Sequence, residues 1–89
     1  VFAVTRFRTA DAAALTADVA ALLAALRARP GFRDGEFGRS ADDPELWALV
    51  TRWDGVGAYR RALSAAEVKI TGAPVWVHAV DEPGVYITD

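Results

Sequence analysis

Few side chains in this 89-residue chain are equipped for chemistry, and His78 stands out as its only imidazole. Its unperturbed pKa lies near neutrality, so it is the natural candidate for a general base, taking a proton from a phenol held within about 3 Å. The plainer reading is a surface or interface histidine. His78 with Asp81 and Glu82 makes a weak zinc set, because zinc sites draw three or four ligands that converge in space. Ser40 and Ser64 lie in no nucleophile motif. The stretches Gly35 to Gly38 and Gly55 to Gly57 have neither dinucleotide-binding nor P-loop spacing.

Two cations and four aromatics complete the candidate set. Arg6 and Arg52 fall on segments expected to be neighbouring strands, where a guanidinium stabilises an oxyanion such as an enolate. Buried without carboxylates such a pair is costly, so the expected state is solvent-facing or ion-paired at the edge of a subunit contact. Trp47, Trp53, Tyr59 and Trp76 have the shapes to wall a flat aromatic pocket between a sheet and its helices. Large aromatics at strand and helix spacing also pack cores and dimer interfaces, and that reading competes with the first.

These residues are carried by short periodic segments. Val1 to Arg8 alternates apolar side chains on both sides, with Val1, Ala3 and Phe7 opposite Phe2 and Val4, and predicts a strand with two partly buried faces. Thr9 or Asp11 caps a helix whose apolar face is Leu15, Val19, Leu22, Leu23 and Leu26 and which Pro30-Gly31 ends. Arg33 to Ser40 predicts an edge strand, weakened by two glycines and guarded by charges of both signs. Leu46 to Trp53 predicts a central strand, with Leu46, Ala48 and Val50 on one face and Trp47, Leu49 and Trp53 on the other.

Asp54 is the expected cap of a second helix burying Val56, Tyr59, Ala62 and Leu63, and Ser64 to Glu67 has capping-box spacing for a short third. Gly72 to Pro74 is expected to break the chain. Val75 to Val80 fits either strand or helical turn, and Val85 to Asp89 predicts a last strand. The order is the βαββαβ pattern of a ferredoxin-like α+β fold, with helices covering one face of a four-stranded antiparallel sheet. The first and third strands are apolar on their other side too. An exposed apolar sheet face is a partner surface, and the simplest partner is a second copy.

Composition narrows the classes. At this length residues 1–89 form one domain, which buries only about 60 to 65% of its unfolded surface and gains from a partner subunit. A formal charge of -2 with scattered basic residues leaves no footprint for nucleic acid. Neither a signal peptide nor an apolar run approaching the roughly 18 residues of a membrane span is visible. No cysteine means no disulfide and no thiolate ligand, which suits a reducing interior, so the expected location is the cytoplasm.

The opening strand, the helix ending in Arg29-Pro30-Gly31-Phe32, the strand running into Thr51-Arg52-Trp53-Asp54, the Ala58-Tyr59-Arg60 helix and the closing Val85-Tyr86 together resemble the antibiotic biosynthesis monooxygenase family. The resemblance covers nearly the whole chain. It implies a dimeric α/β barrel built from two ferredoxin-like subunits, with no cofactor. It also implies an activity of oxygenase type on a small polyketide- or quinol-like aromatic, in which His78 would generate the electron-rich anion that meets O2. In the haem-degrading branch an Asn, a Trp and a His fall near Thr5 or Arg6, Ala62 and Gly72, and this chain has none of them there. It has no Asn at all. The alternative implied by the same fold is a non-catalytic dimerisation or accessory domain.

Overall fold

The computed structural model describes residues 1–88. Strand β1 (Phe2–Arg8) leads into helix α1 (Ala12–Arg27), strands β2 (Phe32–Arg39) and β3 (Leu46–Trp53), helices α2 (Val56–Ser64) and α3 (Ala66–Trp76), and strand β4 (Val85–Tyr86). The strands form one antiparallel sheet in the order β2-β3-β1-β4. This is the ferredoxin-like arrangement expected, with β2 at one edge and β3 inside.

Of the two candidate caps for α1, Asp11 takes the role, its carboxylate accepting the Ala14 N–H at 3.1 Å. Thr9 instead turns its hydroxyl to the Asp11 N–H. The buried face of α1 is Leu15, Val19, Leu22, Ala25 and Leu26, with Leu23 at its margin. Past the helix, Gly31 adopts φ +88°, and a Cβ there would come within 2.5 Å of the Ala58 Cβ. Glycine lets the chain reverse and α2 press against the turn.

The second half departs from the sequence reading in its punctuation. Neither expected cap forms: Gly55 precedes α2 with no side-chain bond, because Asp54 is engaged by Arg33 at 2.6 Å. Ser64 donates to the Arg60 carbonyl, and α3 starts from Ala65 uncapped by any side chain. The third helix is also longer than expected and runs through Gly72 and Pro74 to Trp76. Two local facts make this tolerable. Proline deletes the helical bond to the Ile70 carbonyl, but both residues are exposed and water can solvate that carbonyl. Gly72 is buried, and the Trp76 indole lies where its side chain would be. Val75 to Val80 therefore divides into the last turn of α3, a turn at Val77 and His78, and a single bridge from Ala79 to Phe7. β4 stops at Tyr86, and Asp89, within the longer strand expected, lies outside the described residues.

The sheet separates two unlike faces. On the helix side, Ala3 and Phe7 of β1, Trp47, Leu49, Thr51 and Trp53 of β3, the α1 leucines, Ala58, Tyr59 and Ala62 of α2, and Val68 and Val75 of α3 make the buried core. On the opposite side Phe2, Val4, Leu46, Ala48 and Val50 are half-buried, with no layer of the described residues over them.

Candidate functional site

The aromatic side chains of the helix side gather at its two ends. At one end Trp53 is 1% exposed and meets Phe32 edge-on at 5.2 Å and Tyr59 at 5.6 Å. Its indole N–H donates to the Thr51 hydroxyl at 2.8 Å, so the polar atom of this buried ring is satisfied within its own strand. Burial pushes the Tyr59 phenol above its ordinary pKa, an effect opposed in part by hydrogen bonding with Thr5.

At the other end a run of rings crosses every layer. Trp76 of α3 stacks on Phe7 of β1 at 6.1 Å, Phe7 is the cross-strand partner of Trp47, and Trp47 stacks on Phe37 of β2 at 5.4 Å, within 10° of parallel. The Arg39 guanidinium lies over the Trp47 ring, 5.7 Å from its centroid. His78 borders the same end, half-buried, and its carbonyl accepts the Arg8 N–H at 2.9 Å. Trp47 is 8% exposed, and its indole nitrogen, fully buried, has no hydrogen-bond partner among the described residues.

The two arginines lie elsewhere. Both project from the face away from the helices, and the register sets Arg6 opposite Ala48 but Arg52 opposite Phe2, four residues apart along β1. Each has its own carboxylate. Glu82 grips Arg6 through both oxygens at 2.6 and 2.7 Å, and Asp34 holds Arg52 at 2.8 Å. The hydrogen bonds from Arg6 keep the Glu82 carboxyl below its usual range. Arg6 also borders a groove of about 310 Å³ on this outer face, floored by Leu46, Ala48 and Val50 and reaching Arg39, Ser40 and Trp47 at the sheet edge.

The structure therefore brings Trp47, Trp76 and His78 to one end of the helix-side layer and Trp53 and Tyr59 to the other. It puts Arg6 and Arg52 on the opposite side of the sheet. Sequence reasoning missed Phe7, Phe37 and Arg39 as companions of Trp47. The two-residue spacing of Phe37 and Arg39 places both on one face of β2 and was the available signal; nothing local foretold Glu82, 76 residues from Arg6. Among the described residues no group of three or more His, Asp or Glu converges as a metal site, and no helix is long and apolar enough to cross a membrane.

Comparison with known proteins places this geometry. A search of curated proteins finds no match. Among solved structures, SnoaB, a cofactor-independent oxygenase from Streptomyces nogalater, is 22% identical, superposes with a TM-score of 0.86, and aligns over 99% of this chain and 91% of its own. Rv0793 from Mycobacterium tuberculosis is 22% identical, with a TM-score of 0.74 over 94% of this chain and 86% of its own. PA3566 from Pseudomonas aeruginosa is 16% identical, with a TM-score of 0.73 over 99% and 93%. At these identities the likeness is one of fold. The antibiotic biosynthesis monooxygenase family model matches residues 1–71, most of the chain, and on that match the chain belongs to the antibiotic biosynthesis monooxygenase family.

Proposed function

We propose that this chain is a homodimeric, cofactor-free oxygenase-like protein that takes a small, flat, hydroxylated aromatic of polyketide or quinol type. The observation that carries the reading is the run of rings from Trp76 through Phe7 and Trp47 to Phe37, on the scaffold of a family named for oxygenases. The two ends of the run, Phe37 and Trp76, are half-buried, and a flat aromatic guest would extend the stack there. Tyr59 and Trp53 wall the far end. In this reading His78, at the near end, takes the phenolic proton and leaves an anion electron-rich enough to meet O2. With an anthrone-type substrate, a ring methylene would lose two hydrogens, one oxygen atom would become the new carbonyl, and the other would leave as water.

Arg6 and Arg52 serve the assembly rather than the chemistry. The half-buried strip of Phe2, Val4, Ala48 and Val50 lies between their two ion pairs, and a two-fold copy laid over it would cover apolar surface while leaving the charges at the rim. Titration of tryptophan fluorescence with 1,8-dihydroxyanthrone tests the reading. Saturable quenching is expected, with turnover lowered about a hundredfold by His78→Ala. Linear, non-saturating quenching would count against it.

A second reading, a dimerisation or accessory domain without catalysis, is favoured by how completely the layer is filled. Phe7, Leu22 and Val75 are fully buried, and Trp53 satisfies its own donor. That reading expects core substitutions to cost stability alone.

A further inference from the structure

Among the described residues, the indole nitrogen of Trp47 is the one buried side-chain polar atom with no hydrogen-bond partner. Trp53 lies on the same strand and face six residues on, and there the fold supplies Thr51 as acceptor. For Trp47 it supplies none among the described residues. A buried donor left unsatisfied is costly, and native structures keep few of them.

The side chains around it make a second observation. Arg6, Arg8, Arg33 and Arg52 each pair with a carboxylate. Arg39, like Arg27, Arg29, Arg60 and Arg61, pairs with none among the described residues; it is exposed and lies over the Trp47 ring. Glu36, the nearest acid along β2, belongs by alternation to the other face of the sheet. Phe37, stacked on Trp47, is half-buried and shares the edge strand with Arg39. Gly38 between them belongs, like Glu36, to the other face. Part of the cover over Trp47 thus comes from one sheet edge, where Phe37 is half-buried and Arg39 exposed.

We infer that Trp47 and Arg39 are a recognition pair for the anionic oxygen of a planar aromatic, a carboxylate or phenolate, whose ring joins the stack with Phe37. The inference rests on the aromatic-binding reading above and assigns the end at which the ligand's charged edge is held. Arg39 turns from the ring face toward the anion, and the Trp47 N–H gains the acceptor it lacks. A buried donor and an exposed cation on the same ring together select an acceptor oxygen, and the charge-assisted bonds are the stronger kind.

The test is an NMR titration of ¹⁵N-labelled protein with 2-naphthoate and, separately, 2-methylnaphthalene, following the three tryptophan indole N–H signals. The Trp47 signal is assigned by its loss in Trp47→Phe, and Trp53 serves as an internal standard for a bonded N–H. In the free protein the Trp47 signal should lie at the unbonded position and move downfield saturably with naphthoate. Naphthoate should bind at least about fivefold tighter than methylnaphthalene, and Arg39→Gln should erase that preference. Three results would overturn the inference while leaving aromatic binding intact: a Trp47 signal already at the bonded position, naphthoate binding that leaves it unmoved, or equal affinity for the two probes. Failure of both probes to bind would overturn the inference and the aromatic-binding reading together.

Discussion

Two tryptophans on one strand show how much a single hydrogen bond decides. Trp53→Phe removes the donor to Thr51 and leaves a void in a closed packing site, so a loss of about 2–3 kcal/mol is expected in urea unfolding. Trp47→Phe removes a donor that has no partner, and should cost less than its twin although the same atoms are deleted. Tyr59 adds a pH dependence. Its folded pKa is raised by burial, so its stabilising contribution is complete below the unfolded value near 10 and is lost as pH rises through the higher folded value. The melting temperature should therefore fall more steeply above about pH 10 in the native chain than in Tyr59→Phe. At this scale the sequence was a partial guide. Residue type and alternation named Trp47, Trp53, Tyr59 and Trp76, but which indole finds an acceptor depends on a neighbour two residues away in one case and on nothing nearby in the other.

The elements were legible wherever periodicity sets burial, and less so where a single residue carries the punctuation. The α1 face and the two faces of β3 follow from spacing, because burial of that stripe is what forms them. The caps expected at Asp54 and Ser64 do not form because each side chain has a competing partner: Arg33, 21 residues from Asp54, and for Ser64 the carbonyl one turn back. Pro74 does not break its helix because an exposed helix surface forgives one missing bond. The glycines give testable consequences. Gly31→Ala would force a side chain into a left-handed turn and onto Ala58, and a loss of about 2 kcal/mol or more is expected by thermal or urea unfolding. Gly72→Ala, ordinarily a gain of up to about 1 kcal/mol in a helix, should instead destabilise, since the Trp76 indole occupies the space a methyl would need. A rise in stability in Gly72→Ala would show that Trp76 is free to move off the helix.

At the scale of the molecule, the apolar outer face and the aromatic helix side ask for different partners. Two-sided strands made the first legible in sequence, because a lone two-layer domain has no use for Phe2, Val4, Ala48 and Val50 together. Light scattering at micromolar concentration should give about twice the 9.5 kDa of one chain, and Val50→Asp should return it to one. Acid should act on the same face. The Glu82 carboxyl is held low by Arg6, so its contribution is present above the ordinary carboxylate pKa of about 4.3 and lost as pH falls through the lower folded value. Glu82→Gln should flatten that acid limb.

The central claim, an oxygenase-like protein that needs no cofactor, is tested most directly by oxygen uptake. Purified protein without added metal or flavin would be mixed with 1,8-dihydroxyanthrone and the rate corrected for spontaneous oxidation. The account predicts saturable, protein-dependent consumption of one O2 per quinone formed, reduced about a hundredfold in His78→Ala. A rate that stays at the spontaneous level, with no saturable binding of the same compound, would contradict it and leave the dimerisation domain as the reading that stands.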